Sequence, residues 1–190
     1  MTSPSTNTVR FSIIVPTFRR ADRLERLLLS LEPQLAGRSD RELIAVDDAS
    51  GDPSYATLAH RFGSTMQLLT QPKNAGPSAA RNAGFRASRG EFLVFTDDDC
   101  VATPYWLDWL DNILVENPDI DLIGGEARPL PHEHGMTVTR WVPDGFLRLR
   151  TWSCRNVVTL AAVASLPFDE AGSSASAGFA RRCAGRKIAI

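Results

Sequence analysis

Apolar and polar positions along residues 11–126 follow two alternating patterns, which predict strands and helices in turn. Short runs of consecutive apolar and β-branched residues are typical of strands that are buried on both faces. Between them, apolar residues recur every three or four positions, as on an amphipathic helix. The first such helix has Leu24, Leu27, Leu28 and Leu31 on one face, and Pro33 is expected to end it. Strands are predicted at 11–17, 42–48, 66–70, 91–99 and 120–126, and helices at 21–34, 53–62, 77–88 and 104–117.

Five strands that alternate with four helices predict an α/β fold. Such a chain forms a Rossmann-like three-layer sandwich, in which helices cover both faces of a mostly parallel central sheet. The 190 residues, 43% of them hydrophobic, suffice for one substantial core and are too few for two comfortable domains. We expect residues 1–126 to form this core. Residues 127–190 lose the alternation, and their small-residue-rich end, from residue 171 on, is the part least expected to be ordered.

Charge and cysteine content exclude several classes of protein. A formal net charge of −1 provides no overall field for nucleic acid, so no nucleic-acid partner is expected. The three cysteines are odd in number and far apart, which argues against a disulfide framework or a zinc site and favours a reducing cytoplasm. No apolar stretch reaches the roughly 18 residues of a membrane span. Peripheral association with the inner face of a membrane stays open.

The most informative polar residues lie where the predicted strands end. Ligands of open parallel sheets bind outside the carboxyl ends of the strands. Four consecutive strands end at Pro16-Thr17, Asp47-Asp48, 71–76 and Asp97-Asp98-Asp99. Five carboxylates at one edge would repel one another unless a cation lies among them. Mg²⁺ and Mn²⁺ take hard oxygen ligands, and they often use only one or two protein carboxylates together with water and phosphate oxygens.

The spacing of the last three aspartates therefore predicts a site for a metal and a diphosphate. Asp97 and Asp99 form an Asp-x-Asp pair that could share one side, while Asp98 points away or toward the sugar of a ligand. The simpler alternative is that one of these carboxylates caps the following helix. Similarly, the segment VDDAS could be only a turn, and Arg81 could be an exposed residue on a helix that starts at Pro77.

Four motifs carry a resemblance to a known family. The segments SIIVPTFRR, VDDAS, NAGPSAARNAG and FTDDD, in this order at four strand ends, resemble the nucleotide-binding half of family 2 glycosyltransferases with the GT-A fold. The resemblance spans about residues 11–126. It implies the transfer of a sugar from a nucleotide-sugar donor, UDP-linked or another NDP-sugar, to a saccharide or lipid-linked acceptor. It also implies a Mn²⁺ or Mg²⁺ cofactor, an inverting displacement, and a partial acceptor-side segment at 127–190.

Residue by residue, the resemblance implies a nucleotide site along the strand ends. Pro16 and Thr17 would line the pocket, and Asp48 would accept a hydrogen bond from the base, as an ionised carboxylate can. Asn74 and Gly76 would shape the loop under the nucleotide. Arg81 would reach the base or the diphosphate, and Asp97 would hold the ribose, with Asp98 beside them in the nucleotide site. Asp99, together with Asp97, would bind the metal. The small residues Ala79, Ala80, Ala83 and Gly84 also suggest a close approach of this helix to a neighbour.

The catalytic base that the family supplies is not found in this sequence. The segment PFDEAG occupies residues 167–172, but the Glu-Asp pair expected after it is absent. Asp169, Glu170 and Glu126 are the remaining candidates, with a turn as the favoured interpretation of the first two. Two other functions stay open: a truncated or inactive relative that keeps the nucleotide site, and a receiver-like signalling module with an acidic metal pocket.

Aromatic and histidine residues outside these motifs have simple interpretations. Trp106 and Trp109 fall at helical spacing and are predicted to belong to the core. His132 and His134 lie two positions apart beside prolines, where one could complete a metal shell, although a surface loop is the simpler interpretation.

Overall fold

The computed structural model describes residues 9–118, 122–123 and 187–189. The strands among them are β1 Phe11–Thr17, β2 Arg41–Asp47, β3 Met66–Thr70, β4 Phe92–Phe95, β5 Leu122–Ile123 and β6 Lys187–Ala189. The helices are α1 Ala21–Leu35, α2 Ser54–Arg61, α3 Pro77–Ala87 and α4 Trp106–Glu116. The predicted alternation of strands and helices is confirmed up to β5.

The strands form one parallel sheet with the order β3-β2-β1-β4-β6-β5. After β3 the chain returns to the other side of β1 and pairs as β4, so the strand order reverses between β1 and β4. Such a reversal opens a crevice at the carboxyl ends of the two strands. This crevice is where the predicted site residues fall.

The helices cover both faces of the sheet, as predicted. On one face, α1, α2 and α4 pack against Phe11, Ile13 and Val15 of β1. On the other face, α3 packs against Ile14 and Leu93 and against the side chains of β2. The alternating residues of β1 thus serve two separate cores, which explains why this strand is apolar throughout. Trp106 is buried and Trp109 packs beside it, so their assignment to the core is confirmed.

Two predicted boundaries are wrong for local reasons. Pro33 lies inside α1, which continues to Leu35. Pro33 has no amide hydrogen to donate to the carbonyl of Leu29, a residue on the exposed side of the helix. The predicted strand 91–99 ends at Phe95, because the next residues turn and the Cys100 amide donates to the Asp97 carbonyl at 3.2 Å.

Strand β6 differs from the expectation for the end of the chain. Lys187–Ala189 pairs in parallel with β4 on one side and with β5 on the other. The segment KIAI is short and apolar, which is typical of a buried strand, but the basic and small residues before it hide this signal. Residues 124–186 lie outside the described part, and the division at residue 126 stays a prediction.

The small residues of α3 are explained by the sheet beneath them. A Cβ atom added at Gly84 would lie 2.5 Å from Cγ2 of Ile14 and 3.2 Å from Cγ2 of Val46. Ala80 and Ala83 pack against β2 in the same way. The close approach that these residues suggest is therefore to β1 and β2. It brings the first turn of α3 to the carboxyl edge of the sheet.

A partly buried carboxylate, that of Glu42, connects elements at the amino end of β1, opposite the cleft. Glu42 accepts hydrogen bonds from the Ser12 hydroxyl at 2.5 Å, from the Arg89 amide at 2.7 Å and from the Arg89 guanidinium at 2.8 and 2.9 Å. The Gly90 amide donates to the Ser12 hydroxyl at 2.7 Å. Burial alone would raise the pKa of Glu42, but the hydrogen bonds from Ser12 and Arg89 outweigh it and lower the pKa below its usual value.

This lowered pKa predicts an acid-sensitive contribution to stability. The contribution is complete above the pKa of an unfolded glutamate and is lost as pH falls through the lower pKa of folded Glu42. We expect Glu42→Gln to be less stable than the wild type at pH 7, and the gap between their free energies of unfolding to shrink below about pH 4.3. Urea titrations of both proteins from pH 7 to pH 3 measure this difference in the free energy of unfolding. Glu116→Gln, at an exposed site, is the control; a Glu42→Gln gap that does not change with pH would contradict the assignment.

Candidate functional site

A cleft of about 540 Å³ opens at the carboxyl ends of β1, β2 and β4. Every residue predicted for nucleotide or metal binding lines it. These residues are Pro16, Thr17, Asp48, Asn74, Gly76, Arg81, Asp97, Asp98 and Asp99. The sequence analysis missed four others, Phe18, Arg20, Pro77 and Ala80. Sequence segments more than 80 positions apart thus meet in one cavity, as the strand ends predict.

Asp48 organises the loop between β3 and α3. Its buried carboxylate accepts hydrogen bonds at Oδ1 from the Gln71 side chain at 2.7 Å and the Ala75 amide at 3.0 Å, and at Oδ2 from the Gly76 amide at 2.7 Å. The Asn74 side chain donates to the Asp48 carbonyl at 3.3 Å. Since a carboxylate offers about four acceptor positions, one position on Oδ2 stays open. Gly76 has a φ of +85°, which favours glycine and aims its amide at Asp48.

Asp47 belongs to a turn instead of the cleft. Its Oδ1 accepts hydrogen bonds from the Ser50 amide at 3.1 Å and from the Ser50 hydroxyl, and Ala49 between them has a left-handed φ of 61°. The expectation of five carboxylates at the rim is therefore wrong, and four line the cleft. The reason is that β2 ends at Asp47, whose carboxylate is taken up by the Ser50 turn, whereas Asp48 follows the strand and lines the cleft. The simpler interpretation of VDDAS as a turn is right for Asp47 alone.

Asp97 and Asp99 are the accessible members of the last acidic group. Asp97 forms an ion pair with Arg81, and Asp99 lies 3.4 Å from the guanidinium groups of both Arg20 and Arg23. Their side chains are 23% and 41% exposed. Neither caps α4, which begins after Tyr105 without a side-chain cap. Three arginines thus partly neutralise the charge of the acidic turn.

Asp98 is the buried member of the group. Its side chain is 2% exposed; Oδ1 lies 3.3 Å from Nη1 of Arg20, and Oδ2 has no hydrogen-bond partner. Burial raises the pKa of Asp98, against a hydrogen bond from Thr17 and the charge of Arg20. The negative charges of Asp99 and Asp97 raise the pKa further. An unpaired carboxylate oxygen at the wall of an acidic cleft can accept a hydrogen bond from a ligand or contact a cation.

Tyr55 connects two of these residues from outside the cleft. Its hydroxyl is 2.9 Å from the Thr17 hydroxyl and accepts a hydrogen bond from the Arg20 amide at 3.1 Å. Sequence patterns do not reveal this role, because a buried tyrosine on an amphipathic helix is typical of a core residue. Arg20 could have been found, since it lies three residues after the end of β1, and that strand end was assigned to the site.

The donor set fits a hard divalent cation, although no complete metal site is present. In the part of the chain that the structure describes, no three Asp, Glu, His or Cys side chains are arranged to hold one ion. A cation bound through one or two carboxylates and a diphosphate needs no such group. Asp97 and Asp99 offer carboxylate oxygens that solvent reaches, beside the unpaired oxygen of Asp98.

Several candidates lie outside the described residues. They are the acids Glu126, Asp169 and Glu170 and the histidines His132 and His134. Their roles stay predictions. None of the helices in the described residues is long and apolar enough to cross a membrane.

The fold and the cleft together define a Rossmann-like α/β protein with an acidic cleft at the switch in strand order. The sequence profile of Glycosyl transferase family 2 matches residues 12–156. The chain belongs to this family, which confirms the resemblance found in its motifs.

Individual relatives agree with this assignment. The chain is 30% identical over 149 residues to the glycosyltransferase AglE of Haloferax volcanii, an alignment that covers 76% of this chain and 48% of AglE. It is also 30% identical to the poly(ribitol-phosphate) beta-N-acetylglucosaminyltransferase TarP of Staphylococcus aureus, over 64% of this chain and 39% of TarP. The chain therefore spans less than half the length of these relatives.

Solved structures show the same fold. TarS of Staphylococcus aureus in complex with UDP-GlcNAc has a TM-score of 0.56 and 26% identity, over 64% of this chain and 37% of TarS. The mannosyltransferase PcManGT of Pyrobaculum calidifontis, in complex with GDP-Man and Mn²⁺, has a TM-score of 0.54 and 27% identity, over 65% of this chain and 37% of that protein. The chain has the predicted GT-A fold.

Proposed function

We propose that the described part of this chain is the donor-binding half of a glycosyltransferase, which holds a nucleotide-diphosphate sugar in the cleft. The main support for this proposal is that four carboxylates and two arginines, Arg20 and Arg81, line one cavity at the switch in strand order. A cavity of about 540 Å³ is within the usual range for a small-molecule site. The relatives TarS and PcManGT are seen with UDP-GlcNAc and GDP-Man, which supports this class of donor.

The geometry suggests a role for each group in the donor complex. The open acceptor position on Oδ2 of Asp48 suits an N–H of a uracil-type base, while the other positions already hold the loop in place. Asp97 would accept from the ribose. Arg81, now paired with Asp97, provides a fork of donors for the base or diphosphate. Pro16, Asn74 and Gly76 would form the walls around the nucleotide.

A divalent cation, Mn²⁺ or Mg²⁺, would be held by Asp99 and Asp97. When bound, such an ion neutralises negative charge on the leaving diphosphate as the sugar departs. The protein groups around it then orient the donor and exclude water from the reacting carbon. The transfer itself, an inverting displacement onto a saccharide or lipid-linked acceptor, needs a base among residues outside the described part, for which Glu126, Asp169 and Glu170 are the candidates.

The alternatives have less support. Membership of the glycosyltransferase family disfavours a receiver-like signalling module. A relative that binds nucleotide without transferring sugar differs from the leading proposal only in the base, so nucleotide binding is tested first. Cytoplasmic location and association with the inner face of a membrane stay predictions.

Thermal stability in the presence of UDP tests the donor and metal assignments together. We expect UDP with Mn²⁺ to raise Tm more than UDP in chelator, since a ligand that binds only the folded state stabilises it by an amount that grows with its affinity. Asp99→Ala should abolish the extra effect of Mn²⁺ and leave the effect of UDP alone. Asp22→Ala, at an exposed acidic residue on α1, is the matched control and should respond like the wild type.

Each assignment fails on a different result. Equal stabilisation by UDP with and without chelator would contradict the metal assignment. No stabilisation by any nucleoside diphosphate would contradict the proposed function.

A further inference from the structure

Hydrogen bonds around Tyr55 form a ring that starts and ends at Arg20. The Arg20 amide donates to the Tyr55 hydroxyl at 3.1 Å, and that hydroxyl is 2.9 Å from the Thr17 hydroxyl. Burial raises the pKa of Asp98, and the neighbouring Thr17 side chain counters this rise. Asp98 in turn lies 3.3 Å from Nη1 of the Arg20 guanidinium. The ring therefore fixes both the backbone and the side chain of one residue at the cleft.

Chemistry fixes the direction of one hydrogen bond at Tyr55. The Arg20 amide can only donate, so the Tyr55 oxygen accepts from it. The Tyr55 and Thr17 hydroxyls share a second hydrogen bond, in which either oxygen can be the donor. Without the Tyr55 hydroxyl, the Arg20 amide and the Thr17 hydroxyl would both lose this partner.

Tyr55 lies in the core on the face of the sheet that α1, α2 and α4 cover, outside the cleft. It is 2% exposed, belongs to the core between β1 and α2, and does not line the cavity. The loop that it holds, residues 18–20, has a strained backbone, since Arg19 has a left-handed φ of 52°. Besides the ring, this loop is tied to the β2–α2 turn by the hydrogen bond from the Arg19 amide to the Ser50 hydroxyl at 2.8 Å. The Arg20 carbonyl also accepts from the Arg23 and Leu24 amides at the start of α1, at 3.1 and 3.0 Å, so the Tyr55 hydroxyl holds the amide side of this residue.

We propose that Tyr55 is a positioning residue for the donor site, which sets the loop at residues 18–20 so that Thr17 and Arg20 face the nucleotide diphosphate. This inference rests on the proposed function, because it assigns Tyr55 to the same cleft. Tyr55 itself touches neither donor nor metal. Its hydroxyl acts through Arg20, whose guanidinium lies between Asp98 and Asp99 on the wall of the cleft.

The first experiment compares two variants that each remove one hydroxyl group at β1. The Tyr55 hydroxyl contacts Thr17 of this strand, and the Ser12 hydroxyl belongs to the strand itself. Tyr55→Phe removes the hydroxyl at the cleft end, and Ser12→Ala removes one at the opposite end, where Ser12 serves Glu42 and Gly90. Both should lower Tm. Only Tyr55→Phe should weaken UDP binding in the presence of Mn²⁺, by about tenfold, when calorimetric titrations are done well below either Tm. Equal UDP affinity in the two variants would overturn the proposal.

A double-mutant cycle tests whether Tyr55 acts through Arg20. Residues that share a hydrogen-bond network show coupled effects, whereas independent residues add. We expect Tyr55→Phe to weaken UDP binding about tenfold in the wild type and less than about threefold in Arg20→Ala. Additive effects would show that Tyr55 acts by another route and would overturn this assignment.

Amide exchange separates this inference from the proposed function. In ligand-free protein, the Arg20 amide should exchange faster in Tyr55→Phe than in the wild type, while the Phe11 amide, bonded to the Asp40 carbonyl at the other end of β1, should keep its rate. NMR measures both rates without a nucleotide. If the wild type fails to bind UDP, the proposed function fails, yet the exchange rates still report on the ring. Unchanged exchange at Arg20 would overturn the role of Tyr55.

Discussion

Asp48→Asn is expected to reduce UDP affinity more than about 100-fold, the largest effect of any single substitution at the cleft. An asparagine has one oxygen where the aspartate has two, so its NH₂ group must face either the Gly76 amide or the donors at Oδ1 from Gln71 and Ala75. At least one partly buried N–H then loses its acceptor, and the loop under the nucleotide loosens. The open acceptor position proposed for the base is disturbed at the same time.

Asp47→Asn is the matched control for this prediction. Asp47 precedes Asp48 directly and is equally buried, but its carboxylate serves the Ser50 turn outside the cavity. Both variants should lower Tm, whereas only Asp48→Asn should lose UDP in a calorimetric titration. If Asp47→Asn lost UDP as severely as Asp48→Asn, the loss would reflect damage to β2 as a whole, and the role given to Asp48 would be wrong.

Gly84→Val is expected to destabilise the fold by about 2–3 kcal/mol through overpacking. The added Cβ would lie 2.5 Å from the side chain of Ile14, which is fully buried in the central strand. The side chains of Ile14 and Val46 are both fully buried and cannot move into open space, so α3 must shift outward. Arg81 lies one turn earlier on this helix and would shift away from Asp97, so UDP affinity should also fall severalfold.

Urea unfolding and UDP titration measure the two consequences of Gly84→Val. Arg86→Val places the same branched side chain on the exposed face of α3 and should cost less than about 1 kcal/mol. Adding Ile14→Ala to Gly84→Val removes the clashing atoms and should recover part of the UDP affinity. Similar losses in Gly84→Val and Arg86→Val would contradict the close packing of α3 on the sheet.

The sequence predicted the location of the site better than its internal contacts. Parallel strands and their polar ends follow from local patterns, so the meeting of Thr17, Asp48, Gly76 and Asp97 could be predicted before any coordinates. The hydrogen-bond and ion-pair partners of each carboxylate could not be predicted in this way. Whether Asp47 or Asp48 faces the cavity depends on where β2 ends, and periodicity does not locate an element's last residue that closely.

Residues that act from the core were invisible for a different reason. The pattern of α2 assigns Tyr55 to a buried face and says nothing about where its hydroxyl finds a partner. Likewise, the small residues of α3 indicated a close neighbour, but only the fold identifies the neighbour as β1 and β2. Strand β6 was missed because three residues beside a basic, small-residue segment give too short a pattern.

The place of β6 in the sheet constrains the order in which the chain can fold. In the described pairings β5 joins the sheet only through β6, whose residues follow β5 by more than 60 positions. The first four strands can assemble from early segments of a nascent chain, whereas the gap beside β4 closes only after Lys187–Ala189 has been synthesised. Closing so long a loop is slow relative to local pairing. Until then the edge of β4 offers unpaired backbone groups, to which a chaperone or a second chain could bind.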